Sequence, residues 1–264
     1  MSADLPADGS AVDWSARLAG TLPTVLSGIE QACAQAGRAL TEVGLVAVSK
    51  HQPAAAVAAA LRAGHCDFGE NYAQELRDKA AELAQDPTLA RECARLRWHF
   101  IGPLQRNKVN LIVGRVVLLH TVDSLGLIEA IAGRVDRLRQ AATDAAQAQL
   151  AQDCLLQVNV GDEAQKAGCA PAELPRLLDA IAQQQGRLRC RGLMCIPPAC
   201  SDPQAVRPYF ALLRSLRDQH ATGSRPFIDL RELSMGMSHD YEVAIAEGAT
   251  LIRVGTALFG ARSP

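Results

Sequence analysis

The feature that most constrains this chain is the alternation of short apolar runs with amphipathic ones, sustained from Gly44 to Val254. Gly44–Ser49 reads as a strand, and Pro53–Ala63 as a helix with proline at its start and Gly64 at its end. The same pairing recurs down the chain. Strand patterns fall at Cys66–Phe68, Arg97–Ile101, Val116–Thr121, Asp153–Val160, Leu188–Met194, Glu232–Ser234 and Leu251–Val254. Helical patterns fall at Tyr72–Ala84, Leu104–Val113, Leu125–Ala142, Pro171–Gln185, Pro203–His220 and Asp240–Glu247. Repeated βα units imply a parallel sheet. About eight of them in roughly 250 residues predict an α/β fold, a single (β/α)8 TIM-type barrel. An open Rossmann-type sheet is the competing arrangement, but no Gly-x-Gly-x-x-Gly follows an early strand.

One helical pattern stands outside the repeat. Asp13–Gly37 carries Leu18, Leu22, Leu26 and Ile29 at helical spacing, with Asp13 as N-cap and Pro23 expected to disturb the middle. Residues 1–12 read as a disordered tail, and 13–264 as one barrel domain with nothing left over for a second. The polar, alanine-rich stretch Thr143–Ala151 reads as added surface helix or loop.

A net charge of −1 gives no electrostatic case for nucleic acid or membrane surfaces. No apolar run approaches the about 18 residues that span a bilayer, and the first ten residues lack the apolar core of a secretory signal. None of the 8 cysteines forms a Cys-x-x-Cys pair, and the five-residue spacing of Cys190, Cys195 and Cys200 suits no common zinc knuckle. Reduced thiols and a cytoplasmic location are expected. With no long apolar patch, the expected state is a monomer.

In such a barrel, ligands meet the C-terminal ends of the strands. Strand one supplies Lys50, strand two Glu70 and Asn71, strand three His99, strand four His120, and strand five Asn159. Strand seven supplies Ser234–Met235–Gly236–Met237–Ser238, and strand eight Arg253, Gly255 and Thr256. A lysine at a strand mouth is poorly hydrated, which lowers its pKa and makes its amine a nucleophile for an aldehyde. The plainer reading is a lysine whose stem is covered and whose charge reaches water. Ser238 as a helix cap, Gly236, Gly255 and Thr256 read as a phosphate cradle where barrels often hold phosphate; singly, each is an ordinary turn or cap. Arg253 interrupts an apolar strand, so it needs acceptors: a salt bridge inside the barrel, or a ring nitrogen. Asn71 and His99 either line the pocket or close a hydrogen-bond network in the barrel. Met194, Met235 and Met237 read as pocket walls. Lysine, cradle and arginine together fit a flat phosphorylated aldehyde, pyridoxal 5′-phosphate.

The motifs then resemble a known family. Val46–Ala47–Val48–Ser49–Lys50, Phe68–Gly69–Glu70–Asn71–Tyr72, His99–Phe100–Ile101–Gly102–Pro103, Arg191–Gly192–Leu193–Met194, Leu233–Ser234–Met235–Gly236–Met237–Ser238 and Arg253–Val254–Gly255–Thr256 resemble the pyridoxal-phosphate homeostasis protein family, a single-domain relative of the alanine racemase barrel. The likeness runs in order from about Val43 to Arg262. It implies a protein carrying the cofactor as an imine on Lys50, with phosphate contacts from Ser238, Gly255 and Thr256 and a ring-nitrogen contact from Arg253. It implies a role in vitamin B6 and amino-acid homeostasis without catalytic turnover, with apo-enzymes as possible recipients. One departure stands out. Many members carry Lys-x-Lys-Pro at the cofactor lysine, whereas this chain has Lys50–His51–Gln52–Pro53, which removes the second lysine.

The residues also bear on carrier against catalyst. An arginine beside the pyridine nitrogen disfavours its protonation and weakens the ring as an electron sink. Two-base racemisation needs a group on each face of the substrate α-carbon. Only Tyr72 and Tyr241 are near enough in sequence to be considered, and Tyr241 is expected to face away. A binding and regulatory role is therefore favoured. The alternatives are a pyridoxal-phosphate-dependent amino-acid racemase or lyase, and a barrel enzyme using Lys50 on a phosphorylated sugar.

Overall fold

The structure is a computed structural model that describes residues 12–163, 165–222 and 225–260. Apart from Val12, the expected disordered tail lies outside the described residues. Eight strands form a closed barrel: β1 Gly44–Val48, β2 Asp67–Glu70, β3 Arg97–Phe100, β4 Leu118–Val122, β5 Gln152–Gln157, β6 Leu188–Met194, β7 Ile228–Met237 and β8 Leu251–Val254. Each runs parallel to the next, and β8 returns to pair with β1, with Val46 opposite Arg253 and Ala47 opposite Val254. The single barrel with an added N-terminal helix is what the alternation predicts.

Two apolar layers follow from the two-residue period of strands. Leu45, Ala47, Phe68, Phe100, Leu119, Leu156, Leu193 and Ile252 face outward into one large core shared with the helices. Leu118, Leu155 and Met194 form a separate, smaller cluster with Leu251 against it, inside the ring of strands. The helix Trp14–Gln35 buries Leu18, Leu22, Val25, Ile29 and Cys33. It packs on Ala54–Arg62 and on the helices Tyr241–Ala246 and Thr256–Phe259, so it covers the β1–β8 seam. Asp13 caps it, accepting from the Ala16 amide at 3.0 Å. Pro23 sits on its exposed face, and the helix continues through it.

Other predicted boundaries shift for identifiable reasons. Pro208 lies in the first turn of Arg207–Ala221, where no intrahelical donor is needed, so it opens that helix instead of interrupting it. Leu104–Val113 is only a 3-10 turn, Arg106–Lys108, and one helical turn, Val109–Ile112. β7 is far longer than Glu232–Ser234. Its first half alternates exposed Asp229 and Arg231 with buried Leu230, and those charges mask the strand signal. Thr143–Ala151 contains one short helix, Ala145–Ala148, next to the start of β5. All eight cysteines are free thiols. Cys154 and Cys190 are fully buried core residues, and burial pushes the Cys195 thiol up to about 12. No helix among the described residues is long and apolar enough to cross a membrane.

Gly236 shows how tightly the barrel end is built. Its φ is +90°, and a Cβ there would lie 2.5 Å from the Ala244 Cβ. Gly236→Ala should therefore lower unfolding free energy by about 2–4 kcal/mol, from left-handed strain plus overpacking. Urea denaturation measures this. Ala244→Gly should cost less stability in that background than in the parent, because it relieves the clash; equal costs in both backgrounds would contradict the stated contact.

Candidate functional site

The β1–β8 register assembles the C-terminal mouth. Lys50 follows β1 by two residues and is partly buried, while Gly255 and Thr256 leave the neighbouring end of β8. Ser238 follows β7, and its Oγ accepts from the Gly255 amide at 3.3 Å. Ser238 thus ties the two turns together and does not cap the next helix. That helix starts at Tyr241, and the preceding turn is closed by Asp240 Oδ1 accepting from the Met237 amide at 2.6 Å. A Cβ on Gly255 would sit 3.3 Å from both the Cβ and the carbonyl oxygen of Val48, so the turn lies against β1 with no room to spare. Thr256 is exposed at the start of the short helix Thr256–Phe259.

Arg253 lies beneath this rim, only 4% exposed. Its Nη1 donates to Ser234 Oγ at 2.7 Å and its Nη2 to the Cys195 carbonyl at 3.0 Å. Burial lowers its pKa from the ordinary arginine value, yet a guanidinium keeps its proton in proteins. Among the described residues, no carboxylate lies within ion-pair distance of it. A desolvated cation satisfied only by neutral acceptors is costly, and the group retains donors for a further acceptor.

A second buried cation sits behind Lys50 and is satisfied differently. Lys79 Nζ donates to the Ser49 carbonyl at 2.6 Å and to Glu70 Oε1 and Glu75 Oε1 at 2.7 Å each. The Ser49 hydroxyl donates to the same Glu70 oxygen at 2.7 Å. Burial pushes the Glu70 carboxyl up, against the pull of Lys79, and its other oxygen has no partner. The turn after Lys50 places His51 at φ +61°, and Glu75 Oε1 takes the His51 amide. A non-glycine residue in the left-handed region costs of order 1–3 kcal/mol and persists only where its surroundings enforce it. The Glu70–Lys79–Glu75 cluster supplies that enforcement on both sides of Lys50. Lys79 escapes a sequence reading because it looks like a solvated helix lysine. The available signal is its place on the apolar stripe of Ala73–Gln85, between Leu76 and Leu83.

The other predicted site residues divide. Asn71 follows β2; its side-chain oxygen is buried without a partner, and its carbonyl lies where a Cβ on Gly102 would clash. His99 is not at this mouth. Its ring bonds His120 Nε2 and Asp67 Oδ1, each at 3.0 Å, inside the barrel near the strand beginnings. Of the two readings of His99, the structure shows the internal network. Met235 is fully buried in the outer core, because the two-residue period turns Ser234 inward and Met235 outward. Tyr241 faces away from the barrel mouth, its hydroxyl against Gly28 of the first helix. Tyr72 is half exposed, its ring 5.0 Å from that of His51. Among the described residues, no group of three or more His, Cys, Asp or Glu side chains is arranged to hold a metal ion.

Comparison with known proteins agrees with the barrel architecture. Residues 26–263 match the model of the alanine racemase N-terminal domain. The pyridoxal phosphate homeostasis protein of Pseudomonas aeruginosa is 46% identical over 245 residues, which is 93% of this chain and 96% of that one. The structure of PipY from Synechococcus elongatus with pyridoxal phosphate bound is 36% identical, with a TM-score of 0.69, over 88% of this chain and 99% of that one. Alanine racemase from Streptomyces lavendulae shares the fold at 16% identity and a TM-score of 0.56; the match covers 92% of this chain and 58% of that one. Barrel, site and likeness over nearly the whole length lead to one conclusion: the chain belongs to the pyridoxal phosphate homeostasis proteins, built on the alanine racemase N-terminal domain.

Proposed function

We propose that this chain binds pyridoxal 5′-phosphate at the C-terminal mouth of its barrel and acts as a cytoplasmic carrier in vitamin B6 and amino-acid homeostasis. The observation that carries the reading is Arg253, a buried cation with only neutral partners, set on the strand that pairs with the one leading to Lys50. The residues present fit the cofactor. Gly255 backs onto Val48 so closely that a Cβ there would crowd β1, and the Asn71 side-chain oxygen, just past the end of β2, is buried without a partner. The names of its relatives and the pyridoxal phosphate bound to PipY support the same reading.

Bound there, the cofactor supplies an aldehyde for amines and an electron-poor ring. Lys50 would hold the aldehyde carbon, with its backbone fixed by the Lys79 cluster. Ser238, Gly255 and Thr256 would hold the phosphate, and Asn71 would border the ring. Arg253 would donate to the ring nitrogen. Its charge raises the cost of adding a proton to that nitrogen, which argues against fast carbanion chemistry and for holding over turnover. The placement of Tyr241 against the first helix supports this, since it leaves no tyrosine of that helix at the mouth to act as a second base. Apo-enzymes that need the cofactor are the proposed recipients. Gln52, standing where many relatives carry a lysine, leaves Lys50 as the amine of this turn.

Purified protein should be yellow, and borohydride reduction followed by peptide mapping should place a phosphopyridoxyl group on Lys50. Lys50→Ala should abolish both. Colourless protein that takes up no added cofactor, or a label on another lysine, would overturn the reading. Ser238→Ala should weaken cofactor binding about tenfold or more, the loss expected of one charge-assisted hydrogen bond; fluorescence titration reads this, and wild-type affinity would remove Ser238 from the cradle. Holoprotein incubated with D- and L-alanine should preserve their optical purity, whereas catalytic racemisation would replace the carrier role by the enzymatic one.

A further inference from the structure

A line of hydrogen-bonded side chains crosses the barrel interior beneath Arg253. Arg253 Nη1 donates to Ser234 Oγ at 2.7 Å. Ser234 Oγ lies 2.8 Å from His120 Nδ1, His120 Nε2 lies 3.0 Å from His99 Nδ1, and His99 Nε2 lies 3.0 Å from Asp67 Oδ1. Asp67 opens β2 and pairs with Arg97, which opens β3. Asp67, Arg97 and His99 line a cavity of about 350 Å³ at the opposite, N-terminal end of the barrel. The line therefore joins the two mouths. Ser234 and His120 are fully buried.

The direction of the line follows from donor and acceptor chemistry. Arginine can only donate, so Ser234 Oγ accepts from it. From the other end, the Asp67 carboxylate only accepts, and with both rings neutral this leaves His120 Nδ1 as an acceptor, so the serine proton goes to it. An accepting Nδ1 puts the single proton of neutral His120 on Nε2, from which it donates to His99 Nδ1. By the same step His99 carries its proton on Nε2 and donates to the Asp67 carboxylate. In this arrangement both histidine rings have a partner at each nitrogen, and every donor points away from Arg253. Full burial pushes the His120 pKa well below the ordinary histidine value and keeps it neutral. Burial pushes the Asp67 carboxyl up, but bonds from His99 and Arg97 outweigh it and hold the carboxyl well below the usual range.

We propose that Ser234, His120, His99 and Asp67 are positioning residues for Arg253, forming a one-way polar line that fixes the guanidinium against the cofactor ring from the far mouth of the barrel. The proposal rests on the cofactor reading above. It gives His99 a role that reaches the ring through three other side chains, and it makes Asp67 matter at the site without touching it. The line takes one N–H of Arg253 in a fixed direction, so it sets how the remaining donors meet the ring.

Two measurements test it. In cofactor-free protein labelled with ¹⁵N-histidine, a long-range ¹H–¹⁵N spectrum at pH 7.5 reads each ring's tautomer. His99 and His120 should both be neutral with the proton on Nε2. A proton on His120 Nδ1, or a doubly protonated His99, would overturn the proposal. In cofactor-loaded protein, Ser234→Ala and Asp67→Asn should each shift the absorption maximum of the bound chromophore, and Ser234→Ala should speed cofactor release about tenfold, while borohydride still labels Lys50. Unchanged spectra and release in both variants would overturn the proposal and leave the cofactor reading intact. Wild-type protein that binds no cofactor would end the cofactor reading, with the tautomers still testing the line. Because the first measurement uses unaltered protein, variants that fail to fold do not remove the test.

Discussion

The pairing of the first strand with the last is the constraint on which the rest depends. β1 and β8 are some 200 residues apart in the chain, yet Val46 stands opposite Arg253. That register brings the lysine after β1 to the same rim as the turn after β8. It leaves the arginine one layer lower, facing the interior. Separating such strands in an open sheet would scatter these groups along two edges. The N-terminal helix reinforces the closure, since it packs on helices that flank both strands.

The interior then faces a problem of charge. Two cations are buried near the mouth, and the structure treats them in opposite ways. Lys79 is surrounded by two carboxylates and a carbonyl, and it spends its bonds on holding the Lys50 turn. Arg253 receives only a hydroxyl and a carbonyl, so its charge is left to act on whatever lies against it. The first is a structural clamp, and the second is the group proposed to meet the cofactor. Under that proposal an arginine in this position would grip a flat heteroaromatic ring without protonating it, which suits holding a reactive aldehyde more than exploiting it. The polar line from Ser234 to Asp67 explains how an arginine can be kept oriented with no carboxylate of its own.

Much of this was legible in the sequence, and the gaps have physical causes. The barrel was readable because eight apolar runs separated by amphipathic ones leave few alternatives; Lys50, Ser238, Gly255 and Thr256 follow strands that the pattern locates, and Arg253 lies within one. The span of β7 was not readable, because charged residues occupy its exposed positions. Ser238 was expected to cap a helix and instead joins two turns, a distinction of a few ångströms that no spacing encodes. His99 and Met235 were placed near the site from their strand-end positions alone. Side-chain direction decided otherwise: alternation turns Met235 outward, and His99 points toward the start of its own strand. The Lys79–Glu70 and His120–Ser234 contacts join residues 9 and 114 positions apart, and local sequence says nothing about such meetings.

The most direct test of the central claim, that the β1–β8 closure builds one cofactor site from Lys50 and Arg253, is a crystal structure of the chain grown with pyridoxal 5′-phosphate. The account predicts continuous density from Lys50 Nζ to the ligand, its ring nitrogen against the Arg253 guanidinium, and its phosphate between Ser238 and Gly255–Thr256. A ligand joined to a different lysine, or one at this mouth with Arg253 turned away from its ring, would contradict it.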